Sequence, residues 1–96
     1  MAIFGKAKEQ IEFVKKAREI QKKLQHEIIT VESGAVKIII NGEQKLQKVE
    51  LSREDVSIDK LDVLEKDIKT AVESGIKKSQ EFAANLMKDI GGFPGM

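Results

Sequence analysis

Residues 28–52 read IITVESGAVKIIINGEQKLQKVELS, and the fold turns on how this stretch is parsed. It is rich in β-branched side chains and is cut twice by turn residues, at Ser33-Gly34 and at Asn41-Gly42. Val36, Ile38 and Ile40 alternate with Lys37, Ile39 and Asn41, which is the period-2 pattern of a strand with one covered face. A β-branched run over 28–32 precedes it as a first strand. Residues 45–52 return as a third, with Val49 and Leu51 on one face. The step from Leu46 to Val49 breaks strict alternation and predicts a bulge. Asn41-Gly42 predicts a two-residue type I′ turn, because both residues tolerate positive φ. Three short antiparallel strands in a meander follow.

The flanks change period. From about Lys6 to Glu27 there is no Gly or Pro, and Lys, Glu, Gln and Ala dominate, all good helix formers. Phe13, Ala17, Ile20, Leu24 and Ile28 form a narrow apolar stripe at helical spacing. A second stripe, Phe4, Ala7, Ile11 and Val14, continues as Arg18, Gln21 and Gln25, so it turns polar halfway along and its apolar half needs a second partner. After a polar link over 53–58, Asp59 is the expected N-cap of another helix. Its apolar positions run from Leu61 through Leu64, Ile68, Ala71, Gly75 and Ser79 to Leu86, and Gly91, Gly92 and Pro94 end it. Gly75 and Ser79 are small, which suits close approach of another helix. The order is α-β-β-β-α, an α+β fold expected to form a single domain over residues 1–96. Helices of about 33 and 45 Å outrun strands of about 20 Å, so part of the helical pair must project beyond the sheet. The start of the first helix should lie near the end of the second, at the projecting end. Exposed sheet edges and projecting helices together suggest an elongated homodimer.

Composition removes most chemistry. The 96 residues contain no Cys, Trp or Tyr and one His, so disulfides, thiolate nucleophiles and Cys-based metal sites are excluded. His26 stands beside Glu27, and adjacent helical residues point apart, so it reads as a surface histidine. No phosphate-cradling glycine loop, nucleophile elbow or zinc-helix motif occurs. The chain is therefore expected to be no enzyme and to use no cofactor, no metal and no small-molecule substrate. The opening MAIFGKAKEQ lacks a signal-peptide core, and the longest aliphatic run is Ile38-Ile39-Ile40, far short of a membrane span. A cytoplasmic protein with no membrane partner is the expectation.

The charge is uneven although its net value is only +1. Residues 1–29 hold seven basic against four acidic side chains, and the remainder is slightly acidic. Lys8, Lys15, Arg18 and Lys22 share a face of the first helix, with Lys16 and Lys23 beside it. Lys66, Lys77 and Lys88 are 11 apart and line one face of the last helix, Lys77 and Lys88 toward the projecting end. Spacing alone leaves two readings open: a solvated surface, or phosphate contacts along a duplex. On the second reading the candidates are Lys8, Lys15, Lys16, Arg18, Lys22, Lys23, Lys77 and Lys88.

Nearly the whole chain, about residues 4–95, resembles the YbaB/EbfC family of bacterial nucleoid-associated proteins. The likeness lies in the opening Phe4-Gly5-Lys6, the Gln-rich helix over 17–25, the ESGAVKIIING block at 32–42, Val49-Glu50-Leu51, Leu64-Glu65 and the Gly-Gly-Phe-Pro-Gly tail at 91–95. The block at 32–42 is the most specific part. The first helix is poorer in Met than is usual in the family, and the glycine-rich stretch is shortened to Ser33-Gly34-Ala35. The resemblance implies a tweezer-like homodimer with helical arms that binds double-stranded DNA in the nucleoid. It implies DNA contacts for a helical region only, not for individual lysines. A dimeric protein-interaction module without direct DNA binding is the alternative reading.

Overall fold

The structure is a computed structural model and describes residues 2–89, with side chains from residue 10 onward. The glycine- and proline-bearing tail at 91–95 lies outside the described residues, as do the side chains of Phe4, Lys6 and Lys8. The gap-free stretch of helix formers gives α1 (Ala2–His26), and the meander is β1 (Ile29–Ser33), β2 (Val36–Ile40) and β3 (Leu46–Leu51). A 3-10 turn over Ile58–Lys60 leads into α2 (Leu61–Asp89). The sheet is antiparallel in the order β1-β2-β3. This is the expected α+β architecture, with each boundary within a few residues of its sequence reading.

Both turns obey backbone chemistry, one of them differently from expectation. Ser33 pairs with Val36, leaving Gly34-Ala35 as a two-residue loop with positive φ at Gly34 alone, the signature of a type II′ turn. The Asn41-Gly42 hairpin is not type I′. Asn41 donates its amide to the Lys45 carbonyl at 3.0 Å and accepts from the Gln44 amide at 3.1 Å. That makes a three-residue loop, Gly42-Glu43-Gln44, whose left-handed residue is Gln44 (φ 66°). The Asn41 side chain fixes the loop by accepting from the amides of Glu43 (2.9 Å) and Lys45 (3.0 Å). Gly42 is small for another reason: its amide donates to the Leu24 carbonyl at 2.8 Å, and a Cβ there would lie 2.8 Å from that oxygen. The Leu24 carbonyl is one of the last four of α1, which have no partner inside the helix. The expected bulge is present, with Ile39 opposite Lys48 and Ile40 opposite Leu46, so that Gln47 is the extra residue.

The core lies between α2 and the first two strands. Val31, Val36, Ile38 and Ala71 are buried together, with Ile29 and Leu64 packed against them. Gly75 and Ser79 do permit a close approach, but of the sheet and not of a second helix. A Cβ on Gly75 would lie 2.8 Å from Cδ1 of Ile38, and the buried Ser79 hydroxyl donates to the Asn41 carbonyl at 2.9 Å. The cap at the start of α2 also differs. Ser57 caps the 3-10 turn by accepting from the Asp59 amide, and Asp59 sits inside that turn.

One apolar face is left open. Direct pairing puts Leu51, Val49 and Leu46 on the same face as Val36, Ile38 and Ile40. That is the face α2 covers, yet α2 packs on β1 and β2 and does not reach β3. Val49 is consequently 51% exposed, and Leu46 and Leu51 are similarly open. The α1 helix touches α2 and no strand. The molecule measures 72 × 19 × 17 Å with a radius of gyration of 19.3 Å. A compact chain of this length would have about 12–13 Å.

Candidate nucleic-acid interface

At 3.6 residues per turn, α1 presents two opposed faces. Ile20 is buried where α1 meets α2, with Ala17 and Leu24 half-buried on the same side. Diametrically opposite lie Ile11, Val14, Lys15, Arg18 and Lys22, all exposed. Lys16 and Lys23 flank the Ile20 line instead. The basic set read from the sequence therefore divides between two sides of the helix. Lys77 and Lys88 are exposed on the second half of α2. The base of α1 and this half of α2 are held to one loop, since Gly42 bonds Leu24 while Asn41 bonds Ser79.

The cations differ in whether a carboxylate already answers them. On the sheet, Lys48 lies 2.6 Å from Glu50 and Lys45 lies 3.8 Å from Glu43. The hydrogen bond from Lys48, with its charge, holds the Glu50 carboxyl below its ordinary range and lifts Lys48 above its own; Lys37 adds to the effect on Glu50. On the helices, Lys23 pairs with Glu19 at 3.4 Å and Lys69 with Glu73 at 4.0 Å. Lys15, Lys16, Arg18, Lys22, Lys77 and Lys88 have no ion pair among the described residues.

The uneven charge is sharper at the scale of single elements than counting by thirds of the chain reveals. Residues 13–26 hold five cations against one carboxylate, whereas residues 54–67 hold six carboxylates against two lysines. The acidic stretch spans the link and the first turns of α2, roughly 18 to 27 Å along the helix from Ser79. The chain is thus electrically polar along its length. Counting charge in windows the length of one element would have found it. Such a distribution turns the basic end toward a polyanion and the acidic end away.

A profile of the YbaB/EbfC DNA-binding family matches residues 1–93. The chain belongs to that family. A nucleoid-associated protein of Syntrophobacter fumaroxidans is 34% identical over 85 residues, covering 82% of this chain and 77% of the relative. One of Caldicellulosiruptor saccharolyticus is 33% identical over 64 residues, covering 67% of this chain and 57% of the relative. The chain spans about three fifths of the length of several of these relatives. An uncharacterized protein of Helicobacter pylori has a similar crystal structure, with a TM-score of 0.76 at 20% identity over 86% of this chain and 89% of that one. That likeness concerns the fold. YbaB/EbfC is a family of DNA-binding proteins rather than of enzymes, and no helix among the described residues is long and apolar enough to cross a membrane.

Proposed function

We propose that this YbaB/EbfC protein binds double-stranded DNA as a homodimer, chiefly through phosphates and with little sequence preference, in the nucleoid of the bacterial cytoplasm. The family supplies DNA as the ligand. The observation that carries the rest is the unpaired cation row Lys15, Arg18 and Lys22 on the outer face of a projecting helix, set against Lys45 and Lys48, which lie beside Glu43 and Glu50. Lys16 on the other side of α1, and Lys77 and Lys88 on α2, add further unpaired charge, and Lys8 and Lys23 complete the basic set. Self-association is supported by the open apolar face of β3, which covers itself most simply against a second copy.

Titrating a duplex with the protein at increasing salt tests this. Two copies of the outer row make about six phosphate contacts, for a log–log salt slope of about −5. Reversing Lys15 and Arg18 together should flatten that slope by about 3–4 and weaken all duplexes alike. Reversing Lys37 and Lys45, an equal change in net charge, should do much less. Equal losses in the two variants would remove the arm as the binding surface. Absence of salt-dependent binding to any duplex would favour the protein-interaction module.

A further inference from the structure

The outer face of α1 carries more than charge. Ile11 and Val14 lie in the same sector as Lys15, Arg18 and Lys22, on the side nearer the start of the helix, and are 56% and 45% exposed. Among the described residues no strand meets α1, and α2 meets its opposite side, where Ile20 is buried. A helix held against phosphates by this row brings the two branched side chains against the duplex as well. Purely electrostatic docking would leave both in water.

We infer that α1 lies in the major groove, with Ile11 and Val14 against the C5-methyl groups of thymine while the cations of the same face reach the flanking phosphates. This deepens the DNA-binding reading and rests on it. The size of the element selects the groove: a helix with its side chains is about 10–12 Å across, which matches the roughly 12 Å major groove and exceeds the roughly 6 Å minor groove. The chemistry selects the contact, since the thymine methyl is the one apolar group displayed on a base edge there. Contacts of this kind add a salt-insensitive increment to affinity and a mild preference for thymine-rich duplexes, without a fixed sequence.

The experiment compares an A·T-rich duplex with the same duplex carrying deoxyuridine for thymidine, which deletes the methyl groups and keeps charge and hydrogen-bonding edges. Anisotropy titrations of the full chain should show weaker binding to the uridine duplex, about fourfold per methyl contacted, with an unchanged salt slope. The I11S/V14S double variant should bind both duplexes equally and keep that slope. Netropsin, which fills the minor groove, should not displace the protein. Equal wild-type affinity for the two duplexes overturns the inference while leaving phosphate binding intact. So does an I11S/V14S protein that still discriminates between them, or that sediments as a monomer, which would assign the pair to a subunit contact. Failure to bind either duplex overturns both readings together.

Discussion

Among the described residues, Asn41 takes part in five hydrogen bonds outside the regular helix and sheet ladders. Its amide, carbonyl and side chain together close the β2–β3 loop, orient the Lys45 amide and take the Ser79 hydroxyl from α2. Two neighbours permit this, and they call for opposite substitutions. Gly42→Ala should destabilise the fold by about 1–3 kcal/mol, because the new Cβ meets a backbone oxygen that cannot move without disturbing α1. Gln44→Gly should raise stability by up to about 1 kcal/mol, since it relieves a side chain held at φ 66°. Urea midpoints of the two variants should therefore shift in opposite directions. Ser79→Ala should cost about 1 kcal/mol and no more, because the Asn41 carbonyl keeps its bond from the Gln44 amide.

At the scale of elements, the open face of β3 separates folding from association. Val49 faces no part of α2, so Val49→Asp should leave thermal unfolding of the monomer nearly unchanged while raising the dimer dissociation constant at least tenfold, read by sedimentation equilibrium. Gly75→Leu should do the reverse, overpacking the α2–β2 contact by about 1–3 kcal/mol and lowering the unfolding midpoint. Much of this layer was legible in the sequence. The change of period from 3.6 to 2 and back belongs to the chain itself, and so does the Leu46-to-Val49 step that marks the bulge. What the sequence could not disclose is who sits opposite. Gly42 suits a turn by its type alone, but its smallness answers the Leu24 carbonyl, which only tertiary packing brings near. Gly75 and Ser79 announced a close approach, but not that a strand makes it. The cation spacing on α1 was equally visible, whereas the pairing of Lys45 and Lys48 depends on a loop and a strand face placing carboxylates beside them.

For the whole molecule, shape and charge lead to one expectation. A 10.7 kDa chain stretched over 72 Å with an uncovered apolar strand should sediment at twice its mass at micromolar concentration. A monomer that stays fully folded on dilution would contradict this. The attachment of α1 has a mechanical consequence. Between Leu24, where the Gly42 amide grips it, and Ala2, the helix runs about 33 Å, and among the elements of the fold it touches only α2. It is a lever with its pivot at the hairpin. A tilt of about 10° at that pivot carries the far end through about 6 Å, roughly one helical pitch. In the proposed dimer, a pair of such levers would adjust the gap between them at the cost of a few contacts near Ile20, with the sheet and its core unmoved.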